Sequence, residues 1–122
     1  MNLIGSYNYA LVALAEETLA ALGYEPAGFD SSVAALQAFR AEPQRFDLVV
    51  TDETMPDLAG VELAREIRRV RPELPIVLMS GYSGAQLTER ARAVGVVEVL
   101  RKPLVRRDIA EALGRALRSN NS

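Results

Sequence analysis

The stretch DLVVTDETMPDLAG, residues Asp47–Gly60, decides how this chain folds. Its apolar run LVV ends close to an acid, Asp52, and a Met-Pro pair then begins a turn before a helical pattern starts at Val61. Open α/β sheets place their ligand sites at the carboxyl ends of buried strands, before the turn that leads into the next helix. The stretch therefore predicts a buried strand with a functional acid at its tip.

The same alternation of apolar runs and amphipathic stretches continues along the chain. Apolar runs predict strands at Leu3-Ile4, Tyr24–Phe29, Phe46–Thr51, Pro75–Ser80 and Val96–Leu100. Helical spacing predicts helices at Ala10–Leu22, at Ser32–Ala41, from Asp57 or Ala59 to about Val70, at Ala85–Val94 and at Leu104–Leu117. Five β-α units with near-continuous apolar strands predict a parallel sheet covered on both faces. One domain is expected over residues 1–118, with a polar tail over 119–122.

Composition narrows the possible functions. The chain has 122 residues, a formal net charge of −2, and neither cysteine nor histidine. These features exclude disulfides, thiol nucleophiles, a Ser-His-Asp triad within the chain and the usual zinc sites. A small negative charge offers no electrostatic case for nucleic acid as the main partner, and no apolar run approaches the roughly 20 residues of a membrane span. A cytoplasmic domain that contacts neither nucleic acid nor membrane is expected.

Two further strand tips carry polar residues. Ser80 ends the fourth predicted strand, and Lys102, the only lysine of the chain, follows the fifth. Because parallel strands bring their carboxyl ends to one edge of a sheet, these two side chains and Asp52 are expected to converge. Such a set suits phosphoryl transfer, with a carboxylate nucleophile, a lysine on phosphate oxygens and a hydroxyl donor. Taken singly, each residue is more often a turn residue or a solvated charge, and only their order favours a site.

These residues carry a resemblance to a known family. The motifs DETMP at 52–56 with Gly60, SG at 80–81 and KP at 102–103 resemble those of response-regulator receiver domains of two-component signalling. The likeness extends over essentially the whole chain, and VELAREIRRVRPELPIVLMSGYS is particularly similar to receivers of hybrid histidine kinases. The resemblance implies a flavodoxin-like (βα)5 fold, a three-layer sandwich with strand order 2-1-3-4-5.

The resemblance also implies roles for individual residues. Asp52 would be the phosphoacceptor, Ser80 the hydroxyl that reorients on phosphorylation, and Lys102 the cation that holds the phosphate. Asp52 and the backbone carbonyl of Thr54 would be ligands of Mg²⁺. Since the chain has no histidine, the phosphoryl group would come from the phosphohistidine of a partner histidine kinase or histidine phosphotransfer domain. Such a domain assists its own phosphorylation and is not a turnover enzyme.

The chain departs from the family pattern at two places. The acidic pair that binds Mg²⁺ after the first strand falls on Ser6 and Tyr7, neither of which is acidic. Mg²⁺ prefers carboxylate and water oxygens, so a low or absent Mg²⁺ affinity is expected. Asn8 and Glu53 carry nearby oxygens but do not stand at the family's ligand positions. The family's aromatic switch residue falls on Val99, so the coupling of hydroxyl movement to aromatic burial is expected to differ.

Two alternative functions remain open. A degenerate pseudo-receiver would keep the fold but act as a phosphorylation-independent protein-interaction module, which would explain the missing acids. A metal-dependent phosphohydrolase would need a second acid two residues after the nucleophile, where this chain has Thr54, and is not favoured.

Two surfaces bear on possible partners. The last helix carries outward arginines, which form either a solvated face or a docking surface for a kinase or phosphotransfer domain: Arg106, Arg107, Arg115 and Arg118. A first strand as short as Leu3-Ile4 would expose the edges of neighbouring strands, which favours exchange between chains and a homodimer.

Overall fold

Strands and helices alternate along the chain in a computed structural model that describes residues 1–6, 8–81, 84–103 and 105–120. The strands are β1 (Asn2–Gly5), β2 (Pro26–Phe29), β3 (Leu48–Asp52), β4 (Ile76–Ser80) and β5 (Glu98–Arg101). The helices are α1 (Tyr9–Ala21), α2 (Ser32–Ala41), α3 (Gly60–Val70), α4 (Ala85–Ala93) and α5 (Arg106–Asn120). A short 3-10 turn at Pro43–Arg45, which the sequence did not predict, precedes β3.

The predicted elements are all present, and the differences lie at their ends. Asp52 is the last residue of β3 rather than the residue after it. The last helix begins at Arg106 and continues to Asn120, so it includes the first part of the expected polar tail. Leu104, the predicted start of that helix, and residues 121–122 lie outside the described residues.

The sheet is parallel throughout and has the expected order, β2-β1-β3-β4-β5. β2 lies at one edge, a position that tolerates Pro26 because proline has no backbone N–H to donate. The prediction of a two-residue first strand was wrong, because β1 pairs with both β2 and β3 over four residues. Asn2 and Gly5 have no apolar side chain, so the hydrophobic pattern showed only the middle of this strand. The gap that would have favoured exchange between chains is therefore absent from the described sheet.

The core lies on both faces of the sheet. Adjacent residues of a strand point to opposite faces, so Leu3 packs with α2, α3 and α4 while Ile4 packs with α1 and α5. The central strands β3 and β4 are buried along their whole length, as near-continuous apolar runs indicate. Among the helices of the described ranges, none is long and apolar enough to cross a membrane.

The loop between β3 and α3 is anchored to the start of α2 through Asp57. Its Oδ2 accepts hydrogen bonds from the Ser31 hydroxyl at 2.6 Å and the Val33 amide at 2.9 Å. Its Oδ1 accepts one from the Ser32 amide at 3.1 Å. The hydrogen bond from Ser31, followed by that from Val33, holds the pKa of Asp57 well below its usual range, because both stabilise the ionised form. The loop that follows the predicted functional acid is thus tied to a neighbouring helix.

Replacing Asp57 with asparagine is expected to lower the free energy of unfolding at pH 7, because a neutral amide oxygen accepts these bonds more weakly. The pKa of Asp57 is lower in the folded state than in the unfolded state. Its contribution is therefore full above the unfolded pKa of about 3.9 and is lost as the pH falls below that value.

Urea unfolding of the two proteins should show a difference at pH 7 that shrinks below about pH 4. Asp30→Asn is the matched control, since it removes an exposed acid just before α2 and should leave stability near that of the parent. A stability difference that stays constant down to about pH 2 would show that the charge of Asp57 is not what anchors the loop.

Candidate functional site

The strand ends bring the predicted polar residues to one edge of the sheet. Asp52 ends β3, Ser80 ends β4 and Lys102 directly follows β5. The side chain of Asp52 is 1% exposed, and Lys102 Nζ donates a hydrogen bond to Asp52 Oδ2 at 2.6 Å. The structure thus joins a buried carboxylate to the only lysine of the chain.

Ser80 occupies the neighbouring strand end and is buried. Its backbone carbonyl accepts a hydrogen bond from the Lys102 amide at 2.8 Å, which fixes the start of the segment that carries the lysine. The peptide bond between Lys102 and Pro103 is cis. Asp52 pairs across the sheet with Met79, the residue before Ser80, so the ends of the two strands lie side by side.

Ser6 lies where the family pattern has an acid. It directly follows β1, is 1% exposed, and its hydroxyl donates to Asp52 Oδ2 at 3.3 Å. The same hydroxyl oxygen accepts a hydrogen bond from the Asn8 amide at 3.0 Å. A neutral hydroxyl therefore contacts Asp52 at this place. Tyr7, the second residue of the expected pair, lies outside the described residues.

The other side chains near the site that carry oxygen atoms, Asn8 and Glu53, interact with other parts of the chain. Asn8 Oδ1 accepts from the Leu11 amide at 3.2 Å and caps α1. Glu53 Oε1 accepts from the Val61 amide at 2.8 Å, and its other oxygen lies 3.8 Å from Arg90 on α4. Neither side chain is among the described groups that donate hydrogen bonds to the Asp52 carboxylate.

A divalent cation would find few ligands here. Asp52 Oδ1 is buried and accepts no hydrogen bond from any described residue, so it is one suitable ligand atom. However, the described ranges contain no group of three or more acidic, histidine or cysteine side chains that could hold a metal ion. Thr54, whose carbonyl the family pattern assigns to the metal, lies in an exposed part of the loop. These residues do not fit a tightly held Mg²⁺.

Gly60 positions the loop after Asp52, a role that the sequence analysis did not assign to it. Its amide donates to the Glu53 carbonyl at 3.0 Å. A Cβ atom at this position would lie 2.5 Å from the Asp52 carbonyl oxygen and 2.7 Å from Leu78 Cδ1. Only glycine allows α3 to begin this close to the strand end, so Gly60 and Asp57 together fix the loop beside the carboxylate. Both residues lie within the stretch Asp47–Gly60, but the residues at the start of α2 that bind Asp57 lie outside it.

The position of the family's aromatic switch is aliphatic and half-buried. Val99 lies on β5 and packs against the core on the side of α2, α3 and α4. It borders a cleft of about 340 Å³ between α4 and β5.

Two of the outward arginines of α5 already have partners within the chain. Arg106 donates to both carboxylate oxygens of Glu17, at 2.6 and 3.3 Å, and Arg115 donates to Glu98 at 2.8 Å. The hydrogen bond from Arg106, together with its charge, lowers the pKa of the Glu17 carboxyl. These pairs favour a solvated face over a docking surface.

Comparisons with known proteins agree with this geometry. A family model described as the response regulator receiver domain matches residues 8–114. The receiver protein CpdR of Brucella abortus is 33% identical over 95 residues, which cover 78% of each chain. A receiver domain protein from Clostridium thermocellum superimposes with a TM-score of 0.89 at 26% identity, covering 98% of this chain and 95% of that one.

Longer relatives match over only part of their length. The transcriptional regulator NtrC of Azospirillum brasilense is 31% identical over 118 residues, which cover 97% of this chain but 24% of that protein. ZraR of Escherichia coli K12 is 32% identical over 100 residues, 82% of this chain and 22% of that protein. The expected likeness to receivers of hybrid histidine kinases is not supported, because these relatives are named as a receiver protein and as transcriptional regulators. The chain belongs to the response regulator receiver domain family of two-component signalling.

Proposed function

We propose that Asp52 accepts a phosphoryl group from the phosphohistidine of a partner histidine kinase or histidine phosphotransfer domain. The observation that carries this proposal is the 2.6 Å contact between Lys102 Nζ and the buried carboxylate of Asp52. It places a cation beside the buried carboxylate, where phosphate oxygens would arrive. The donor histidine belongs to a partner, since the chain has none.

The transfer forms one bond to phosphorus and breaks one. One carboxylate oxygen of Asp52 attacks the phosphorus, and a P–O bond forms as the P–N bond of the phosphohistidine breaks. The leaving imidazole keeps the electron pair of that bond. The Lys102 side chain donates hydrogen bonds to the phosphoryl oxygens, and the Ser80 hydroxyl donates a hydrogen bond to one of them. The product is an acyl phosphate, and the domain acts as an acceptor rather than as a turnover enzyme.

We further propose that Mg²⁺ binds this site weakly. The charges of Asp52 and Lys102 cancel, and Ser6 adds a neutral hydroxyl, so the site has no excess negative charge to attract a divalent cation. The pseudo-receiver alternative also starts from the missing acids. A pseudo-receiver would not be phosphorylated on Asp52, whereas a receiver would.

The parent protein, incubated with a small phosphoramidate donor, is expected to gain the mass of one phosphoryl group. Asp52→Asn is expected to gain none, because an amide cannot serve as the nucleophile. Intact-mass spectrometry in acid measures both. Asp108→Asn, which removes an exposed acid on α5, is the matched control and should be phosphorylated like the parent. If the parent gains no mass after prolonged incubation, the phosphoacceptor proposal is wrong and the phosphorylation-independent interaction module is favoured.

Ser6→Asp is expected to strengthen Mg²⁺ binding by about tenfold or more, because it adds a second carboxylate next to Asp52. Without a cation the two like charges should lower the melting temperature of the variant. Thermal unfolding over a Mg²⁺ titration should show a rise in melting temperature that is larger for Ser6→Asp than for the parent.

Ser6→Asn is the neutral control of similar size and should respond to Mg²⁺ as the parent does. An equal response of all three proteins to Mg²⁺ would show that the residue at position 6 does not set the affinity for the cation.

A further inference from the structure

A second charged region lies at the opposite edge of the sheet from Asp52. Between the C-terminal parts of α3 and α4 there is a cleft of about 510 Å³. Arginine side chains line it, and we call it the arginine cleft: Arg65, Arg68, Arg69 and Arg92. No carboxylate is among its lining residues in the described structure, although the chain as a whole has a net charge of −2. Positive charge is therefore concentrated here against the overall balance.

One of these arginines is held in place by the backbone. Arg68 Nη1 donates to the Leu74 carbonyl at 2.9 Å. A Cβ atom on Gly95 would lie 2.3 Å from Arg68 Nε and 2.6 Å from its Cζ, so the guanidinium lies directly against the Gly95 backbone. Gly95 also has a φ of 93°, a conformation that favours glycine. The guanidinium of Arg68 is thus an ordered part of the cleft.

The remaining arginines differ in how far their charge is offset. Arg69 pairs with Glu66 at 2.9 Å, and the other oxygen of Glu66 is bound by Arg40 at 3.1 Å. The side chains of Arg65 and Arg92 are exposed, and neither guanidinium group forms an ion pair or hydrogen bond with any residue that the structure describes. Arginines in the last turn of a helix can offset its dipole, but Arg65 lies in the middle of α3. The two guanidinium groups are available to an external anion.

We propose that the arginine cleft binds an organic phosphate of nucleotide size. Guanidinium groups present paired N–H donors that match phosphate oxygens, and several of them around one cleft suit a ligand with more than one phosphate. Pro72, Ala93 and Val94 give the cleft an apolar side that can contact the organic part of the ligand. Its volume lies within the range of about 300–1,000 Å³ that is usual for small-molecule sites.

Isothermal titration calorimetry at low and moderate salt tests this with ATP as the probe and pyrophosphate as the probe without an organic part. The parent protein is expected to bind ATP, and binding should weaken at higher salt. Arg65→Ala/Arg92→Ala should weaken it by about tenfold or more, since it removes both available guanidinium groups. Arg107→Ala/Arg118→Ala is the matched control, because it removes two exposed arginines from α5 and changes the net charge by the same amount. It should bind ATP as the parent does.

Asp52→Asn should also bind ATP unchanged, so the result does not depend on phosphorylation. The proposal is overturned by no ATP binding in the parent, by an equal loss in the two double variants, or by binding of pyrophosphate as tight as that of ATP. A preference for a polyglutamate peptide over ATP would assign the cleft to an acidic protein instead. Circular dichroism of each double variant checks that the exposed substitutions leave the fold intact.

Discussion

The ion pair between Asp52 and Lys102 is the interaction on which the rest of the site depends. A carboxylate that folding removes from water costs several kcal/mol unless an opposite charge and hydrogen bonds compensate it. Lys102 supplies that charge at 2.6 Å while its own side chain stays 27% exposed and partly hydrated. The two residues are 50 positions apart in the sequence and come from the ends of β3 and β5. Their contact therefore depends on the packing of β4 between these two strands. The site can therefore form only in a sheet with this strand order.

Ser6 changes the electrostatics that this constraint produces. An acid at its position would place a second carboxylate against Asp52, and the two like charges would need a cation beyond Lys102. The serine hydroxyl instead donates to the same oxygen that Lys102 contacts. Among the described residues, Asp52 is therefore contacted by one cation and one neutral hydroxyl.

The helix α3 connects the two charged regions of the molecule. It begins beside the phosphoacceptor candidate, where Gly60 packs against the backbone of Asp52. Its later turns carry Arg65, Arg68 and Arg69 of the arginine cleft, at the other edge of the sheet, whereas Arg92 lies on α4. Asp57 ties the loop before this helix to α2, so the position of α3 follows from contacts on both sides of the site.

The sequence by itself determined the alternation of strands and helices, the parallel sheet and the residues at its strand tips. Those features follow from local patterns of apolar and polar residues, which report the face that each element buries. It did not determine the extent of β1, because Asn2 and Gly5 are ordered by pairing with β2 and β3 rather than by their own hydrophobicity. Nor did it show that Asp57 binds residues 24 to 26 positions away. Only the tertiary structure decided such contacts, because a polar side chain takes its partner from whichever element folding places beside it.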